Sequence, residues 1–117
     1  MGKKDKNVVS FFTECKKTTG SGHLSRCFSL SDAFEEKGFK SRFIIDSDSS
    51  CDAEKNITEL HRLNWKSDVD SVKEIITKDS LVVIDSYLAS QKQLELLSRL
   101  TRYPVFISDA RLNYYPQ

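Results

Sequence analysis

Three short strand-like segments in this chain, apolar but for Arg42, each lead to an aspartate: Arg42–Ile45 before Asp46, Leu81–Ile84 before Asp85, and Val105–Ile107 before Ser108 and Asp109. A fourth run, Val8–Phe12, precedes them, and stretches of helical periodicity fall between. Continuous apolar runs of this length mark strands buried on both faces, as in a parallel sheet covered by helices. Their alternation with helices predicts an α/β chain with crossover connections, a Rossmann-like three-layer domain with a mostly parallel sheet. In such sheets ligands bind beyond the carboxyl ends of the strands, at the switch point in strand order. Asp46, Asp85 and Asp109 are therefore expected at the functional rim.

The intervening segments carry their own signals. Thr13–Ser21 reads as a polar loop. From Gly22 the residues Leu24, Cys27, Phe28 and Phe34 recur at helical spacing as far as Lys37, and Gly38 supplies a stop. Asp46–Asp52 reads as a second loop, and a short third strand is expected within Asn56–Leu63. Ser67 or Asp68 caps a helix reaching about Lys78, with Val69, Val72, Ile75 and Ile76 on its inner face. Ser90–Thr101 forms another helix, with Leu94, Leu97 and Leu100 facing inward.

Composition removes several function classes. A chain of 117 residues with 38% hydrophobic and 30% charged residues suits one folded domain with one core. We assign residues 8–117 to it and 1–7 to a basic tail. The net charge of +1 offers no overall field for nucleic acid or an anionic membrane. No apolar run approaches the roughly 20 residues that span a bilayer, and the charged start lacks the apolar centre of a signal peptide. Cys15, Cys27 and Cys51 are odd in number and widely spaced, which predicts reduced thiols in a cytoplasmic protein. No Cys or His pair has zinc spacing, so no metal is expected, and no cofactor is assigned.

The segment Thr19–Cys27 (T-G-S-G-H-L-S-R-C) carries the most chemistry. It stands where the first strand hands over to a helix, and unpaired amides there seat an anion. Gly20, Ser21 and Gly22 would let a diphosphate approach the backbone, although glycines so spaced also occur in ordinary turns. The segment is neither a dinucleotide fingerprint, because Ser25 replaces the third glycine, nor a P-loop. His23 at the helix start reads as a general base, kept neutral by the positive helix end, or alternatively as a packing residue. Arg26, one turn on, either reaches a phosphate or faces solvent. Asp85, Ser86 and Tyr87 bring a carboxylate, a hydroxyl and a phenol to the cleft edge, with a capping role as the alternative for Asp85. His61 reads as structural or surface. The stretch Phe43–Asp48 imitates the nucleophile strand of haloacid-dehalogenase-type phosphatases, but a solvated acidic loop accounts for it better.

Together, G-S-G-H-L-S-R-C, I-D-S-Y at Ile84–Tyr87 and I-S-D-A-R-L-N-Y-Y-P at Ile107–Pro116 resemble the UDP-sugar hydrolase family of pseudaminic acid biosynthesis. The likeness runs from about Val8 to Pro116 and covers that family's N-terminal domain. The resemblance implies half of a GT-B fold, in which two Rossmann-like domains face across a cleft. It also implies removal of UDP from a diacetamido-trideoxy sugar by water attack at the anomeric carbon, without metal or cofactor. On that basis His23 activates the water, Gly20 and Gly22 line the diphosphate, and Asp85 and Tyr87 border the sugar. The implied partners are a UDP-sugar and a second domain that holds the uridine, and little activity is expected of this chain alone. Glu14 departs from the family's usual aspartate, and Ser108-Asp109 from its Asp-Asp pair. The G-x-G-H element also occurs in GT-B glycosyltransferases, so half of such a transferase is an alternative. A non-catalytic sugar-nucleotide or protein-binding module is a second.

Overall fold

The computed structural model describes residues 7–16, 22–48, 59–78, 80–86 and 89–107, with the side chains of 22 and 23 excepted. Along the chain run β1 (Val8–Cys15), α1 (Gly22–Glu36), β2 (Lys40–Ser47), β3 (Leu60–Arg62), α2 (Val69–Ile75), β4 (Leu81–Asp85), α3 (Gln91–Ser98) and β5 (Tyr103–Phe106). The strands form one sheet in the order β3-β2-β1-β4-β5, and every neighbouring pair is parallel. The expected α/β, Rossmann-like class is therefore the observed one. The chain moves outward from β1 through β2 to β3, then returns to the other side of β1 to begin β4. The switch in direction falls between β1 and β4.

Strand alternation divides the core into two layers. Val9, Phe11 and Cys15 of β1 face α1, where Phe11 stacks on Phe43 of β2 with ring centroids 5.0 Å apart. Phe12 faces the other way and packs with Trp65, Val72 of α2 and Leu94 and Leu97 of α3. α1 therefore covers one face of the sheet, while α2 and α3 cover the other.

Each helix carries a readable boundary. Asp68 caps α2, its side chain accepting from the Ser71 amide. Ser90 and Gln93 form a reciprocal capping box at the start of α3. After α1 the Gly38 amide bonds to the Glu35 carbonyl and the Phe39 amide to the Phe34 carbonyl, both at 3.1 Å. Gly38 has φ +94°, and the Phe34 and Phe39 rings meet edge-on at 5.2 Å. These features together make a Schellman motif with its hydrophobic contact.

Several boundaries differ from those read in the sequence. β1 does not stop at Phe12 but continues through Cys15, because Thr13 pairs with both Ile45 and Asp85, and Glu14 with Asp46. Polar residues close an apolar run yet remain in a strand when neighbours on either side satisfy the backbone. α2 ends at Ile75 rather than near Lys78, with Ile76 buried just beyond it. β5 begins at Tyr103 and admits Pro104, which an edge strand tolerates. Cys15 is disulfide-bonded, which corrects the expectation of three reduced thiols. Spacing along the sequence carried no information about which cysteine ends a strand beside a loop. Cys27 is free and buried, and Cys51 lies outside the described residues.

Candidate functional site

Polar side chains gather at the carboxyl ends of β1, β2 and β4, and the two-residue strand period sorts them onto opposite faces. Thr13 and Asp85 point toward α1. Glu14, Asp46 and Ser86 point toward the layer of α2 and α3.

On the α1 face the Asp85 carboxylate is 1% exposed. It accepts two bonds from one guanidinium: Arg26 Nε donates to Oδ2 at 2.8 Å and Nη2 to Oδ1 at 2.7 Å. A two-point bond of this kind fixes orientation as well as distance. The Thr13 hydroxyl donates to the Asp85 main-chain carbonyl at 2.8 Å, closing the junction between β1 and β4. Cys27 shares this corner. Burial, reinforced by the charge of Asp85, pushes its thiol up to about 12 against the opposing pull of Thr13 and Arg26. It is a packing residue and not a nucleophile, since it holds no thiolate near neutral pH.

On the other face Glu14 is fully buried and Asp46 nearly so. The Lys66 ammonium lies 2.5 Å from Asp46 Oδ2 and 3.6 Å from Glu14 Oε1, and Lys16 lies 3.1 Å from Asp46 Oδ2. The Ser86 hydroxyl donates to Glu14 Oε1 at 2.6 Å and accepts from the Ala89 amide at 3.1 Å. Trp65 sets the position of Lys66. Its indole N–H donates to the Thr13 carbonyl at 2.8 Å, its ring meets Phe12 edge-on, and the Lys66 ammonium sits 4.8 Å from the ring centroid. Two carboxylates thus face two ammonium groups, the arrangement that lets buried charge persist.

A smaller polar group lies beside the edge strand β3. Glu59 accepts from Arg42 at 2.9 Å and pairs with His61 Nε2 at 2.8 Å. Burial pushes the Glu59 carboxyl up, but the His61 bond and the Arg42 charge and hydrogen bond outweigh it and hold the group below its ordinary value. His61 also borders an open groove of about 470 Å³ with Arg62, Leu63, Ser71, Glu74 and Ile75.

The residues singled out in the sequence fall into three sets. Arg26 and Asp85 meet on the α1 face at the end of β4, while Ser86 turns to the opposite face and bonds to Glu14. Gly22 and His23 are the first two residues of α1, so the helix begins where the sequence placed it. Gly20, Ser21, Tyr87 and Asp109 lie outside the described residues, as does the His23 side chain. Asp46 belongs to a lysine-paired cluster rather than a solvated loop.

Sequence reasoning missed Thr13, Lys16, Trp65 and Lys66. Trp65 was the available signal, as the chain's single tryptophan closely following a short strand, but nothing in the spacing tied it to β1. Among the described residues no group of three or more His, Cys, Asp or Glu side chains is placed to hold a metal ion.

Fold and rim together define a small doubly wound α/β domain with its polar groups collected at three strand ends. Comparison with protein-family models, curated proteins and solved structures returns no match to this chain.

Proposed function

We propose that this chain is the base-bearing half of a nucleotide-sugar hydrolase, binding the diphosphate and sugar of a UDP-sugar at the carboxyl ends of β1 and β4. One observation carries the reading. The two motifs G-S-G-H-L-S-R-C and I-D-S-Y, far apart in sequence, are joined side chain to side chain by Arg26 and Asp85. The rim lies at the switch point, where doubly wound sheets bind ligands.

In the proposed reaction His23 accepts a proton from water, and the water oxygen forms a bond to the anomeric carbon. The bond from that carbon to the diphosphate oxygen breaks, and its electron pair leaves with UDP. The amides at the start of α1 would receive the growing negative charge on the leaving group.

Amide chemical shifts recorded while UDP, and separately a UDP-N-acetylhexosamine, are added to millimolar concentration test the site. Shifts concentrated at residues 20–26 and 84–87 are expected. No shifts, or shifts centred on the groove beside β3, would remove the proposal. His23→Ala should keep UDP binding within about twofold while abolishing UDP release from any UDP-sugar that the chain turns over.

A further inference from the structure

Arg26 and Asp85 have so far been candidates for direct ligand contact, Arg26 with a phosphate and Asp85 with a sugar. Their geometry assigns them differently. Asp85 is 1% exposed, and its two carboxylate oxygens each accept a bond from Arg26. Arg26 lies in the early part of α1, three residues after His23, so positions 23 and 26 are neighbours on the helix surface. Asp85 is the last residue of β4, across the switch point. The Thr13 bond to the Asp85 carbonyl holds the base of the same junction.

We infer that Arg26 and Asp85 form a pin that fastens the start of α1 to the end of β4 and so fixes where position 23 stands at the rim. Both are positioning residues. Neither is a catalytic residue.

Three features lead to this. The start of α1 has no sheet pairing of its own, so something else must set its distance from β4. A guanidinium bound through two nitrogens to two oxygens restricts rotation as well as separation, which a single ammonium bond does not. The carboxylate is also buried beneath the guanidinium, whose side chain is 47% exposed, so a ligand at the rim meets the arginine before the aspartate. The role in hydrolysis rests on the nucleotide-sugar reading, whereas the pin itself does not.

The test uses Arg26→Lys, Arg26→Gln, Asp85→Asn and the double variant Arg26→Gln/Asp85→Asn, with two readouts. The first is amide hydrogen exchange in the unliganded chain, comparing residues 23–27 with residues 30–36 of the same helix. Each single variant should speed exchange at 23–27 by about tenfold relative to 30–36, and the double variant should be no worse than the singles. Arg26→Lys keeps the charge, so it separates loss of the fork from loss of the fold.

The second readout is affinity for UDP, which has no sugar beyond its diphosphate. A pin predicts that Asp85→Asn weakens UDP as much as Arg26→Gln does, each by about tenfold, without additivity. Direct contacts predict that Arg26→Gln weakens UDP while Asp85→Asn leaves it unchanged. Uniform exchange along α1 in every variant, or an unchanged UDP affinity in Asp85→Asn, overturns the pin. Local exchange in the variants with no UDP binding by the unmodified chain sustains the pin and removes the nucleotide-sugar reading.

Discussion

At the scale of single residues, buried charge is the dominant feature of this protein. Glu14 and Asp46 are held inside by Lys66, and a carboxylate so placed is tolerated only while its partner remains. Lys66→Met removes the ammonium, which also sits over the Trp65 ring, and keeps a side chain of similar length. It should destabilise the domain by about 3 kcal/mol, read as a lowered urea midpoint with an unchanged slope. A loss below about 1 kcal/mol would mean that Lys16 and Ser86 suffice for the two carboxylates. The same logic explains what was legible at this scale. Asp46 and Asp85 could be marked as chemically informative because each follows an apolar run, and Arg26 because it belongs to the motif at the start of α1. Their partners could not, since Arg26 and Asp85 are 59 positions apart and Thr13 and Trp65 are 52.

At the scale of elements, local rules succeeded where they act within a few residues. The Gly38 stop and the Asp68 cap are each read from neighbours in the chain, and each is made by hydrogen bonds spanning a few positions, as is the Ser90 capping box, where the sequence had placed the helix's own first residue. Gly38 offers a clean test of the first. A Cβ there would meet nothing within 4 Å, so the only cost of Gly38→Ala is its φ of +94°. We expect a destabilisation of about 1 kcal/mol by thermal or urea unfolding, with α1 otherwise unchanged. A neutral result would show that the Schellman turn is not required to end the helix. The strand ends were read less well. The extension of β1 to Cys15 depends on pairing with β2 and β4, which no local window contains.

At the scale of the whole molecule, β1 organises the sheet. It has neighbours on both edges and a packed layer on both faces, with Val9, Phe11 and Phe12 all fully buried. β5 is an edge strand that leaves Tyr103 and Val105 exposed. Opening to solvent should follow this order. Native-state amide exchange is expected to be slowest in β1, with the inner partners β2 and β4 next and β3 and β5 fastest. Equal protection across all strands would indicate that the sheet opens only as one unit.

The amino-acid order alone determined the α/β class, the succession of strands and helices and the rim where ligand chemistry is expected. Those follow from periodicity and from capping, which are properties of adjacent residues. Which side of β1 receives β4, which arginine meets which aspartate, and how Lys66 comes to lie between two carboxylates were decided only in three dimensions. These depend on contacts between segments that share no sequence neighbourhood, and their energies exist only once the sheet brings the segments together.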